Sequence, residues 1–177
     1  MTNTAQALMA EPDTAAFRAA MGAFPTGVTL LTQGTGDETI VMTLNSLTSV
    51  SLDPLLLLVS VKSDGRMRPR VVGSGSFAVN VLGEEHQELS TEFARPDRPT
   101  GELAVRRMRA VEGVTGNVVL PGAVASFECR LHAEFEAGDH VLLIGRVVAI
   151  HQGGQDQRPL LFHRGRYARL PFAREAA

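Results

Sequence analysis

The residues whose types could do chemistry gather in one stretch, Met42 to Pro54, which reads Met-Thr-Leu-Asn-Ser-Leu-Thr-Ser-Val-Ser-Leu-Asp-Pro. It carries the hydroxyls of Thr43, Ser46, Thr48, Ser49 and Ser51 and the amide of Asn45, with no charge before Asp53. Hydroxyls and exposed backbone amides form a neutral, donor-rich surface. Such a surface suits a planar heteroaromatic ring or a phosphate better than a metal or a peptide. The competing reading is a loop whose Ser and Thr side chains bond their own backbone, as loops between strands often do.

Apolar runs must position this stretch. Ile40 and Val41 predict a strand leading in, Asp53-Pro54 a turn, and Leu55 to Val61 a strand leading out that is buried on both faces. Upstream, Asp13 is a plausible N-cap for a short helix with Phe17, Ala20 and Met21 together on one side and Gly22 at its end. Pro25-Thr26-Gly27 turns the chain into a strand at Val28 to Thr32. Gln33 to Glu38, with Gly34 and Gly36, reads as a hairpin loop, and Thr39 to Leu44 returns as a strand.

Downstream, Lys62 to Arg70 is basic, with Arg66, Arg68 and Arg70 spaced by two, and Pro69 limits any helix there to a short one. Phe77, Val79 and Val81 alternate with Ala78, Asn80 and Leu82, which predicts a strand. Glu84 to Arg95 should be a helix, since Leu82, His86, Leu89 and Phe93 fall on one face. Arg95 to Gly101 is a loop, and Glu102 to Asn117 shows no clean period and reads as partly irregular. Val118 to Phe135 is largely strand, bent at Pro121-Gly122. Glu136 to Asp139 makes a hairpin turn into a return strand, His140 to His151, and a second polar turn covers Gln152 to Arg158. Leu160 to Phe162 and Tyr167 to Leu170 are short final strands. Many short strands, tight turns and few helices predict a mainly β protein, barrel or sandwich.

Gly73-Ser74-Gly75-Ser76-Phe77-Ala78 fits the G-x-G-x-x-A dinucleotide fingerprint in letters only. That fingerprint needs a strand before it and a helix opening within it. Here a period-two strand follows, so the glycines are expected to form a turn.

Composition narrows the classes. The chain of 177 residues is expected to form one domain over residues 13 to 177, after a mobile, Ala-rich segment at 1 to 12. A net charge of −2 gives no basic face for nucleic acid, and 5% aromatics give no stacking platform for single strands. The single cysteine, Cys129, cannot form an intramolecular disulfide and alternates with apolar residues as inert core. The scattered histidines argue against a metal site. No targeting segment or membrane-length apolar run is visible, which makes the cytoplasm the default and a membrane association unexpected.

Several motifs then align in order. Phe24-Pro25-Thr26-Gly27-Val28-Thr29 and the Met42 to Pro54 stretch are followed by Ser74 to Leu82, Leu89-Ser90, Phe93-Ala94, Gly138-Asp139-His140, Ile144-Gly145-Arg146-Val147 and Arg164-Gly165-Arg166-Tyr167. Together, over roughly residues 15 to 170, they resemble the flavin reductase family, the small reductase components of two-component flavin-dependent monooxygenases. Each motif is weak alone; their order and spacing are fairly specific.

The resemblance implies an FMN-binding split β-barrel, usually a homodimer. It implies hydride transfer from the nicotinamide of NADH or NADPH to FAD or FMN, with reduced flavin passing to a separate monooxygenase or halogenase. In such a reaction the cofactors carry the chemistry and the protein aligns two rings. By position, Thr26, Met42, Thr43, Asn45, Ser46 and Ser49 fall at the flavin ring and ribityl chain. Ser63 and Arg66 fall at its phosphate, where arginine suits because it donates bidentately. Gly65-Arg66-Met67 lacks two hydroxyls that the family often shows there, and Leu44 replaces a smaller residue. Phe93 and Ala94 fall at a helix end lining the pocket, and Arg95 next door could reach a phosphate or only water. His140 falls near the nicotinamide, as the one catalytic candidate, with Arg164 and Tyr167 at a C-terminal position linked to nicotinamide binding or subunit contact. The alternative is a flavin-binding protein for storage or electron transfer without turnover.

Overall fold

The computed structural model describes residue 11, residues 13–154 and residues 156–170. The segment at 1 to 12 expected to be mobile lies, but for Glu11, outside the described residues. The elements follow the predicted order. Helix α1, Thr14–Gly22, starts at Asp13, whose carboxylate accepts from the Ala16 N–H at 2.7 Å. Strands β1, Thr26–Gly27, β2, Thr29–Gln33, and β3, Ile40–Leu44, follow, with one 3₁₀ turn, Gly36–Glu38, inside the β2–β3 connection.

The chemistry-bearing stretch is then more regular than its polarity suggested. Thr48–Leu52 forms a strand, β4, and turns at a cis Asp53–Pro54 bond into β5, Leu55–Lys62. Helix α2, Met67–Ser74, precedes β6, Ser76–Val81. Gly75 closes α2 in the left-handed region, its N–H donating to Val71 O at 2.8 Å. The glycines of the G-x-G-x-x-A letters therefore end a helix before a strand, the reverse of the dinucleotide arrangement.

Helix α3, Gln87–Phe93, extends a 3₁₀ turn at Glu84–His86. Where no clean period was visible, the structure has a helix, α4, Gly101–Met108, and a small hairpin, β7, Val111–Glu112, with β8, Val118–Val119. The long hairpin β9, Ala125–Ala137, and β10, His140–Gln152, follows, and β11, Leu161–His163, and β12, Arg166–Ala168, end the described chain. No helix among the described residues is long and apolar enough to cross a membrane.

Seven strands form one antiparallel sheet in the order β3-β2-β6-β9-β10-β5-β4. Its two edge strands, β3 and β4, are consecutive in the chain and joined only by Asn45, Ser46 and Leu47. A flat sheet of that width would hold its edges about 29 Å apart. The link between Leu44 and Thr48 reaches no more than about 15 Å. The sheet must therefore curl until its edges nearly meet without pairing, which is a split β-barrel.

Inside the barrel lie Leu31, Leu57, Val59, Val61, Phe77, Val79, Cys129, Val141 and Leu143, capped by Met67 and Val71 of α2. A second core gathers Val28, Leu30 and Val41 against Phe93 of α3 and Ala104 and Met108 of α4. Leu30 and Leu31 thus enter different cores, as the period-two pleat requires. Gly145 of β10 has no room for a side chain, because a Cβ there would lie 2.5 Å from Cζ of Phe77.

One expectation is corrected: β5 is buried on one face only. Leu57, Val59 and Val61 are buried, whereas Leu55 is 45% exposed and Leu56 and Leu58 are half-buried. A continuous apolar run reads the same whether its second face meets a core or lies open at the barrel wall.

Candidate functional site

The three-residue seam between the sheet edges carries the site. Ser46 is fastened to β5: its Oγ accepts from Ser60 N at 2.9 Å and donates to Ser60 O at 3.2 Å. Thr43 Oγ1 donates to Ser90 O of α3 at 2.7 Å, and Thr29 Oγ1 donates to Leu44 O at 3.0 Å. Asn45 Nδ2 donates to Thr26 Oγ1 of β1 at 3.1 Å. Among the described residues, the backbone N–H groups of Asn45, Ser46 and Leu47 meet no backbone acceptor. Side chains thus tie the seam to neighbouring elements while its amides meet no backbone acceptor; Ser51, beyond the seam, does show the local bonding of the competing loop reading, its Oγ accepting from Asp53 N at 3.2 Å.

A cleft of about 520 Å³ opens beside the seam, lined by Met42, Thr43, Leu44, Asn45 and Ser46, by Lys62, Arg66 and Arg98, and by Ala94 and His140. A smaller pocket of about 180 Å³ shares Thr43, Leu44, Asn45 and Ala94 with it and adds Ser90, Phe162 and Tyr167. Tyr167 is held edge-on to Phe162 at 5.5 Å between ring centres, its hydroxyl 2.8 Å from Ser90 Oγ. No aspartate or glutamate lines either space.

The charge in the cleft is left over from pairing elsewhere. Of the spaced arginines, Arg68 meets Glu134 at 3.3 Å and Arg70 meets Glu38. Arg66, just before α2, has no carboxylate partner among the described residues. His140 opens β10 opposite Lys62 of β5, and its Nδ1 lies 2.8 Å from Asp139 Oδ1. The hydrogen bond and charge of His140 hold the Asp139 carboxyl below the usual carboxylate range. With Nδ1 engaged, Nε2 is the ring atom left for a ligand.

The structure thus brings Met42, Thr43, Asn45, Ser46, Arg66, Ala94, His140 and Tyr167 to the cleft and its annex, with Thr26 behind Asn45. Other candidates lie elsewhere. Ser49 sits on β4 against an apolar groove with Leu47, Leu52 and Leu56. Ser63 lies outside the cleft; its N–H and Oγ both donate to Asp139 O at 3.1 Å, so it fixes the turn that presents His140. Phe93 is 0% exposed in the second core and cannot touch a ligand there. Arg95 points to solvent beside Asp97 at 3.6 Å. Arg164 sits in the β11–β12 turn at positive φ, its N–H donating to Gly22 O at 2.8 Å. Sequence reading missed Lys62 and Arg98 in the wall, because a basic residue at a strand end or in a proline-flanked loop carries no periodic signal. Among the described residues, no group of three or more His, Cys, Asp or Glu could hold a metal ion.

Fold and cleft together define a small split-barrel protein with a cationic cleft beside an open polar seam. The chain matches the flavin reductase like domain over residues 21–171 and belongs to the flavin reductase family. It is 47% identical over 160 residues to the NADH-dependent FMN reductase AsuE2 of Streptomyces nodosus subsp. asukaensis, covering 90% of this chain and 86% of that one. It is 38% identical over 162 residues to an NADH-dependent FAD reductase of Streptomyces globisporus, covering 89% and 86%. The crystal structure of BorF, the flavin reductase component of a bacterial two-component tryptophan halogenase, superposes with a TM-score of 0.84 at 37% identity, over 91% of this chain and 100% of that one.

Proposed function

We propose that this chain is an NAD(P)H:flavin oxidoreductase that reduces free FAD or FMN and releases it to a separate monooxygenase or halogenase. The observation that carries this reading is the seam at Asn45 to Leu47: unpaired amide donors on a rigid link, beside a cationic cleft without one acidic wall residue. The family and the relatives named as NADH-dependent flavin reductases support it.

The bound pair supplies hydride transfer from nicotinamide C4 to flavin N5. This chain's residues bind and orient. The seam amides and Asn45 would hold the polar edge of the flavin ring, Thr43 and Ala94 its flank, and Arg66 its phosphate. His140, fixed through Asp139 and Ser63, would face the nicotinamide and limit its approach. No side chain needs to act as a nucleophile.

The quaternary arrangement we propose is a homodimer. Its support is an open apolar groove of about 260 Å³ at β4 and β5, with Leu52 84% and Ile150 51% exposed, and helix α1 with Phe17 60% exposed. The cytoplasm, which supplies both nucleotides, is the compartment that fits this function.

Mixing the purified protein with NADH and either FAD or FMN tests the reading. Loss of nicotinamide absorbance with one flavin is expected and names the substrate. No oxidation with either flavin or either nicotinamide, together with flavin that stays bound through gel filtration, would replace the reductase with a storage or electron-transfer protein.

A further inference from the structure

Arg98 stands in the loop between α3 and α4, between two prolines, and lines the cleft together with Arg66. Its Nε donates to Val41 O at 2.9 Å and one Nη to Arg95 O at 3.1 Å. Both acceptors are neutral carbonyls, and no carboxylate meets Arg98 among the described residues. A half-buried guanidinium held by two backbone acceptors has its plane fixed while its charge stays uncompensated. Burial, and then the nearby Arg66 guanidinium, push Arg98 below the usual arginine range. Two like charges are therefore close together beside a cleft with no acid in its wall. Like charges so placed are unfavourable unless an anion comes between them.

We infer that Arg98 is a specificity-determining residue for the phosphorylated form of the flavin: a preorganised second guanidinium that grips the phosphate opposite the exposed Arg66. This rests on the flavin reading of the cleft. The division of labour follows from the bonds. Arg98 is rigid and sets where the phosphate sits; Arg66, without a protein partner, closes on it.

FMN and riboflavin differ only in the phosphate, so their ratio of dissociation constants isolates it. Flavin fluorescence titration needs no turnover and remains readable whether or not the protein oxidises NADH. The native protein is expected to prefer FMN, and Arg98→Gln to shrink that preference by about 10- to 100-fold, the range for one charged hydrogen-bonding group. Arg98→Lys, which keeps the charge but not the fork, should recover part of it. An unchanged preference in Arg98→Gln overturns the assignment, and so does an equal loss for FMN and riboflavin, which would make Arg98 a brace for its loop. Failure of the native protein to bind either flavin would instead overturn the flavin reading and this inference with it.

Discussion

His140 shows how much of a side chain's placement can be set outside the residue itself. Its ring is aligned by Asp139, and the Asp139 backbone is held by two bonds from Ser63. The Gly138-Asp139-His140 motif was legible in the sequence as a turn entering a strand, and so was the approach of Ser63 and Arg66 to one neighbourhood. What was not legible is the division between them: Ser63 serves the turn and Arg66 the cleft, and only the direction each side chain takes from the end of β5 decides it. His140→Ala is expected to lower kcat by roughly tenfold or more while changing flavin affinity less than about threefold, since a positioning loss falls on the reacting geometry. Stopped-flow reduction with a flavin titration separates the two, and parallel losses would return His140 to a structural role.

At the scale of elements, regular apolar periods were readable and side-chain fastenings were not. Strands β2, β3, β6, β9 and β10 and helix α3 follow from spacing alone. Strand β4 was hidden because its residues are Ser and Thr in part, and its order comes from pairing with β5 rather than from burial. Helix α4 was hidden because it is only about two turns long and its buried face is carried by Gly101, Ala104 and Met108. The segment after it is pinned by Glu128 of β9, a carboxylate 0% exposed. Its Oε2 accepts from Thr115 N and Oγ1, each at 2.7 Å, and its Oε1 lies 2.7 Å from His151 Nε2. Burial would raise this carboxyl, but hydrogen bonds from His151, Thr115 and Val114 outweigh it and hold Glu128 below its ordinary value. A depressed folded-state pKa gives stability that is present above the unfolded value near 4.3 and lost as pH falls through the folded one. Stability against denaturant should therefore fall below about pH 4. Glu128→Gln should cost about 1–3 kcal/mol at pH 7 and flatten that acid limb; an unchanged limb would place the acid sensitivity elsewhere.

For the whole molecule, spacing made the mainly β class readable, and the split barrel came only through the family resemblance, because the curl of the sheet depends on which strands become neighbours across it. The three-residue link between β3 and β4 decides it once the strand order is known. The apolar groove at β4 and β5 is likewise a property of the whole: the run Leu55 to Val61 announces burial without saying against what. If a second copy covers it, sedimentation should give twice the 19.0 kDa chain mass. Leu52→Glu, at a side chain 84% exposed in the single chain, should then yield the single-chain mass with monomer stability changed by no more than about 0.5 kcal/mol. A dimer that survives this change would place the interface on another face, such as α1.

The seam has one more consequence. A barrel left unpaired between its edge strands β3 and β4 is not closed there by backbone bonding, and the link that spans the gap is fastened sideways, by Thr43 to α3, Asn45 to β1 and Ser46 to β5. Anything that settles on the open amides of that link touches both lips of the slit and works as a clasp. Occupancy and barrel integrity are then one equilibrium seen from two sides: whatever loosens the slit weakens the grip on the guest, and a guest at 100 times its Kd tightens the whole wall by about 2.7 kcal/mol. A protein built to hand its guest onward is held most firmly only while it is carrying it.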